Sequence, residues 1–360
     1  MFTSELLFFG GFLLLVAFML FLDLGVFHKT DHVISFKEAG IWTIVWIGTA
    51  LLFCLFIFMK AEWVHGITDN ASLQHYYDKY YQGKLHSGIS MDQPFKENLS
   101  VYRHSLGMEY LTGYFIEKAL SIDNIFVMIM IFISFGIDKK YYHRVLFWGI
   151  LGAIVLRFIF IFLSSALIQQ FSWILAIFGG ILIFSGIKMF FDKNDEKIDT
   201  ENHPVVRFAS KHFRVLAKGH GHDFFARVDH KLYITPLFVV LLVIEFSDVI
   251  FAVDSIPAIF SVTQDPFIVF FSNIFAILGL RSLFFMLSNV MDRFWLLKYG
   301  LGVLLTFIGV KMLLGHFEIL EIGTGASLGI ILGILAVSIV LSLMIPQPQK
   351  AEAETGSDNQ

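Results

Sequence analysis

Nine stretches of this chain are apolar for long enough to cross a bilayer: 5–27, 41–59, 111–135, 145–168, 172–191, 236–260, 267–289, 299–314 and 326–345. A hydrocarbon core about 30 Å thick needs roughly 20 helical residues. Open backbone cannot face lipid, because its N–H and C=O groups find no partner there, so these stretches are expected to be helices. Of the 360 residues 56% are hydrophobic and 16% charged, where a soluble domain carries about a quarter charged. The fold class expected is therefore all-α, a polytopic membrane protein with about nine transmembrane helices.

The first stretch has no basic region before it and no small-residue cleavage motif after it, and reads as a retained helix. Cys54 is the only cysteine, which rules out both a disulfide framework and a thiolate metal cluster. The net charge of -4 gives no reason to expect a nucleic-acid partner. Lys and Arg gather in the loops after the first, third, fifth and seventh stretches, and the short loops after the fourth, sixth and eighth have none. That alternation places the N-terminus outside and the C-terminus in the cytoplasm, most simply in a bacterial inner membrane. Residues 61–110 then form an extracytoplasmic insertion carrying Tyr76, Tyr77, Tyr80 and Tyr81, residues 192–235 a cytoplasmic loop with several histidines, and 347–360 a polar, disordered tail.

Two of the apolar stretches carry carboxylates. One holds Glu117, Ser121, Asp123 and Asn124, and the other Glu245, Asp248, Asp254 and Ser255, followed by Pro257. An ionised acid near the bilayer centre costs at least about 2.5 kcal/mol, so acids placed there usually handle an ion, a proton or a partner charge. On a helix Glu117, Ser121 and Asn124 share one face, as do Asp248 and Ser255, while Asp123 and Asp254 lie off those faces. Pro257 removes one helical hydrogen bond and crowds the Val253 carbonyl, which predicts a kinked or unwound helix that turns Asp254 inward.

The chain also repeats. Gly186-Ile-Lys188-Met echoes Gly309-Val-Lys311-Met, Arg157 answers Arg281, and Asp123 answers Asp254. Residues 111–191 and 236–314 thus form two units of three helices, followed by a ninth helix in 315–346. An odd number of helices per unit inverts the second relative to the first, a plan shared by many secondary transporters that hold substrate where the halves meet. The two acidic stretches become symmetry mates around one site. Lys188 and Lys311, placed near cytoplasmic helix ends, are expected to snorkel.

Carboxylates, an amide and hydroxyls make an all-oxygen ligand set. It suits Mg, Ca or Mn and disfavours copper or zinc. Glu117, Asp123, Glu245, Asp248 and Asp254 are more acids than one divalent ion needs, so Arg157 and Arg281 would balance charge, or some acids would carry antiported protons. Asp23, near the end of the first helix, and Ser121 are candidates for the ion pathway. No glycine-rich phosphate loop is present in a suitable context, so neither an ATP-driven pump nor an enzyme is expected, and no cofactor beyond the transported ion. The rival reading is a non-transporting membrane scaffold in which the acids pair structurally with the arginines.

Longer motifs carry a family resemblance. Glu117 to Asn124, Arg144 to Ala153, Thr235-Pro236-Leu237, Glu245 to Ala258, Asp265-Pro266-Phe267, Ser272 to Arg281 and Gly309 to Met312 resemble the TerC family of integral membrane proteins, related to the LysE transporter superfamily. The resemblance implies an ion-handling role for Glu117, Asp123, Asn124, Glu245, Asp248 and Asp254, and implies Mn(II) export, which the residues alone leave open among Mg, Ca and Mn. The insertion before Tyr110 is the main departure from the family pattern.

Overall fold

The computed structural model describes residues 2–27, 35–191, 203–216, 223–228, 230–288 and 294–345. The described residues are mostly helical: α1 (Phe2–Phe27), α2 (Phe36–Lys60), α3 (Glu62–His65), α4 (Asn70–Tyr80), α5 (Phe95–Ser134), α6 (Lys139–Gln170), α7 (Ile174–Phe191), α8 (Pro204–His212), α9 (Pro236–Phe260), α10 (Pro266–Leu278), α11 (Leu280–Leu287), α12 (Leu297–His316) and α13 (Thr324–Met344). A two-stranded antiparallel hairpin, β1 (Phe225–Val228) with β2 (Lys231–Ile234), precedes α9. Thr235 and Asp265 cap α9 and α10 with their side chains, each followed by a proline whose missing N–H no helix needs at that point.

Among the described residues seven helices, α1, α2, α6, α7, α9, α12 and α13, are long and apolar enough to cross a membrane. Taken as one span, α10 and α11 make an eighth, bent by 42° at Gly279. Nine were expected; α5, whose apolar half includes Glu117, Lys118 and Asp123, is not among them by this measure. The expected break at Pro257 is absent, and α9 runs unbroken to Phe260. Pro257 lies in its last turn, where one lost N–H is tolerated. The break falls instead at Gly279, inside what the sequence shows as one continuous apolar run.

The core of the bundle includes a close crossing of α7 and α12. Gly179 lies against the Gly309 carbonyl and Gly186 against that of Gly302, at distances that leave no room for a Cβ on any of the four. Small residues are the usual means of bringing membrane helices together, because lipid supplies no hydrophobic drive between them.

The 61–110 segment is a packed helical cap. A capping box of Asp69 and Ser72 starts α4, and Tyr76, Tyr77 and Tyr80 turn inward, all at most 3% exposed. His65 is fully buried between two carboxylates, its Nδ1 2.9 Å from Glu5 of α1 and its Nε2 2.8 Å from Asp265 at the start of α10. Tyr76 donates to Asp265, while Tyr80 and Lys79 donate to Glu5. Glu109 of α5 joins the cap too, accepting from Tyr81 and lying 2.9 Å from His86.

Burial pulls the His65 imidazole down, but Asp265 and Glu5 outweigh it and hold it above its usual range; Glu109 does the same for His86. A group whose folded value is raised contributes stability that is complete below its unfolded value, about 6.5, and lost as pH rises through the folded value. Thermal stability of the purified protein is expected to fall on the alkaline side, by about 1.4 kcal/mol for every tenfold by which folding tightens an imidazole's hold on its proton. His65→Phe is expected to flatten that fall, and a variant keeping the wild-type slope would acquit the imidazole.

Candidate cation site

Four helices place polar side chains at one point in the middle of the bundle. Arg157 of α6, 1% exposed, reaches Glu117 of α5 with Nη1 and Asp248 of α9 with Nη2 at 3.2 Å and Nε at 3.5 Å. Its Nη1 also donates to Asn273 Oδ1 of α10 at 2.9 Å and lies 3.5 Å from Ser255 Oγ of α9. Asn273 Nδ2 donates to the other Glu117 oxygen at 3.1 Å. Glu117 and Asn273 have no exposure, and Asp248 has 4%. A guanidinium suits this position because its planar fork of donors can serve several acceptors at once.

The backbone makes room for these groups. Gly113 lets α10 close onto α5, since a Cβ there would stand 2.9 Å from Ser272 Oγ. The place where Gly152 lacks a Cβ on α6 is taken by the Glu245 carboxylate, one turn before Asp248 on α9. Glu245 Oε2 is buried with no hydrogen-bond partner. A small cavity beside it is lined by Gly149, Glu245, Asp248 and Arg281.

The other expected residues are distributed more widely. Ser255 is in the cluster, and Ser121 and Asn124 are buried on α5, Ser121 Oγ without a hydrogen-bond partner. Asp254 turns away from the cluster and accepts from Ser185 Oγ of α7 at 2.7 Å. Asp123 is partly buried, six residues beyond Glu117 on a different face of α5. Arg281 of α11 has its Nη1 2.9 Å from His143 Nε2. Lys188 is exposed, but Lys311, two residues beyond Gly309, lies at the opposite end of the α7–α12 pair, because α12 runs opposite to α7 with Gly309 on Gly179 and Gly302 on Gly186. Asp23 lies in the last turns of α1 with its side chain outside the described residues, as are His220, His222 and the tail.

The arrangement is a filled site. Two carboxylates converge on an internal cation, and among the described residues no three His, Cys, Asp or Glu side chains stand together as a metal-holding group. Asn273 is the member that sequence reasoning missed. Its signal was an amide inside an unbroken apolar run, weaker than a carboxylate because a buried amide is satisfied by ordinary hydrogen bonds.

Residues 102–350 match the model of the integral membrane protein TerC family. The chain is 42% identical over 337 residues to a protein of Escherichia coli (strain K12) named "Putative membrane-bound redox modulator Alx", covering 93% of this chain and 94% of that one. A protein of Photorhabdus laumondii with the same name is 41% identical over 344 residues, 95% of this chain and 96% of the relative. An uncharacterized membrane protein of Myxococcus xanthus, STKORF319, is 41% identical over 335 residues, covering 93% and 91%. No solved structure matches.

Proposed function

The chain belongs to the TerC family of integral membrane proteins, and on that premise we propose that it is a secondary transporter that exports divalent metal cations, foremost Mn(II), from the cytoplasm. The observation that carries this reading is the meeting of Glu117 and Asp248, from two different helices, at one buried guanidinium. Two acids held at the centre of a membrane bundle by a movable cation form a site that another cation can compete for.

The repeat supports it. A spacing of 131 residues separates Glu117 from Asp248, Asp123 from Asp254 and Asn124 from Ser255. At the α7–α12 crossing, 123 residues separate Gly179 from Gly302 and Gly186 from Gly309, so the two glycine contacts exchange under the same operation. That pattern belongs to a two-fold axis in the membrane plane, with α5 as the ninth span, the capped side outside and the C-terminus in the cytoplasm. In the resting protein Arg157 occupies the acids. An entering divalent ion takes carboxylate oxygens from it, with Asn273 and Ser255 as neutral ligands and Glu245 one turn away. The oxygen ligands favour Mg, Ca and Mn over copper and zinc. Asp123 and Asp254 serve the approach to the site, protons are the counter-ion, and no reaction is catalysed. The redox role in the relatives' name finds one cysteine here, Cys54, 4% exposed.

Mn(II) uptake into inside-out vesicles tests the reading. Wild type is expected to accumulate the metal, and Asp248→Asn to lose at least about tenfold of the rate at matched protein level, a change of ~1.4 kcal/mol in barrier. No uptake by folded wild type, with or without a pH gradient, overturns it. The second reading, a membrane scaffold, is favoured by the fact that both acids are already paired; it requires Asp248→Asn to lower protein abundance instead. Calcium in place of Mn(II) separates the remaining substrate choice.

A further inference from the structure

Lys118, which follows Glu117 in the chain, takes no part in the Arg157 cluster. It is a partly buried lysine of α5, and its Nζ donates to the Ala276 carbonyl of α10 at 3.3 Å. Ala276 stands three residues before Gly279, where α10 stops and α11 departs at 42°. In a continuous helix the N–H of Leu280 would serve that carbonyl. The ammonium is there instead, so close to the break that a Cβ on Gly279 would come within 2.8 Å of Nζ.

The C-terminal end of a half-helix inside a membrane carries unsatisfied carbonyls and the negative end of the helix dipole. In transporters with broken helices this is where a small coupling cation is coordinated. We propose that the break at Gly279 is a monovalent-cation subsite permanently filled by the protein's own ammonium, Lys118, so that the chain needs no sodium or potassium ion there. The tether also explains the glycine. Gly279 is held in an ordinary negative-φ conformation at φ −83°, so its lack of a side chain serves space for the ammonium and for Trp46, 3.1 Å from the same Cβ position, and not backbone freedom. The proposal deepens the transporter reading by removing sodium from its coupling, yet its test does not depend on transport.

The test is the melting temperature of the purified protein in detergent, with sodium, potassium or N-methylglucamine chloride exchanged at a constant ionic strength of about 0.2 M. Wild type and Lys118→Arg, which keeps a tethered cation, are expected to melt at the same temperature in all three salts. Lys118→Ala is expected to melt lower in N-methylglucamine and to regain roughly 2 °C or more, saturably, in sodium or potassium as the free ion enters the vacated place. Lys118→Gln serves in its stead if the alanine protein does not accumulate. A folded neutral variant indifferent to the cation would overturn the proposal, and so would saturable sodium or potassium stabilisation of wild type, since the subsite would then be open. Loss of Mn(II) uptake with the cation response intact would sink the transporter reading alone.

Discussion

Arg157→Met is expected to remove most of the folded protein from the membrane. The substitution leaves Glu117 and Asp248 facing each other, buried and uncompensated, and breaking a buried pair from one side costs about 3–5 kcal/mol. The remedy is equally specific. Adding Glu117→Gln and Asp248→Asn removes the stranded charges, and Asn273 keeps a polar partner in the side-chain amide introduced on α5, so the triple variant is expected to return to near wild-type abundance while remaining unable to transport. Quantitative blotting of membranes together with melting curves reads both steps. If Arg157→Met alone melts like wild type, the carboxylates are not held by the guanidinium and the cluster is not the organising charge of the bundle.

The second large effect is steric. Gly186→Val is expected to force α7 and α12 apart, because the new side chain would meet the Gly302 carbonyl at 2.6 Å and the Thr306 amide at 2.8 Å, and backbone atoms cannot rotate away. Overpacking by one methyl costs about 1–3 kcal/mol, and valine adds two more. The control is Gly180→Val, six residues away on α7, where a Cβ meets nothing within 4 Å. Melting temperature in detergent is expected to drop by many degrees for the first and little for the second. Equal drops would mean that helix propensity, not the crossing, is being measured.

Much of this architecture was legible in the chain because lipid allows so few alternatives. Runs such as 145–168 and 172–191 became α6 and α7 with ends shifted by a few residues, since the apolar length itself decides the element. The paired acidic stretches were legible for the same reason, as charge in an apolar run stands out. What failed was anything decided by three-dimensional contact. Pro257 was read as the helix breaker and Gly279 was not singled out, yet a proline in a last turn loses one bond, whereas Gly279 has a lysine amine available to take over a carbonyl. Arg157 and Arg281 are equivalent by sequence, but Arg157 meets Glu117 and Asp248 whereas Arg281 has His143 beside it, on a helix set at an angle by the break. Asp123 and Asp254 were read as lying off the faces of Glu117 and Asp248, and what did not follow was the inward turn expected of Asp254 from Pro257, since that carboxylate accepts from Ser185 instead. The paired tyrosines of the insertion were visible, but not that they wrap a buried histidine, because Glu5 and Asp265, which fix it, lie 60 and 200 residues away.

The cap around His65 sets the mechanics of the molecule. Glu5 stands at the start of α1 and Asp265 at the start of α10, and one rigid ring, with Lys79, Tyr76 and Tyr80 around it, bolts the two helix ends together. A bundle pinned at one end works as a pair of tongs: the pinned end is the pivot, and displacement grows toward the free end. The bend at Gly279 lies between this pivot and α11, so a change in that bend would re-aim α11 and leave the ring in place.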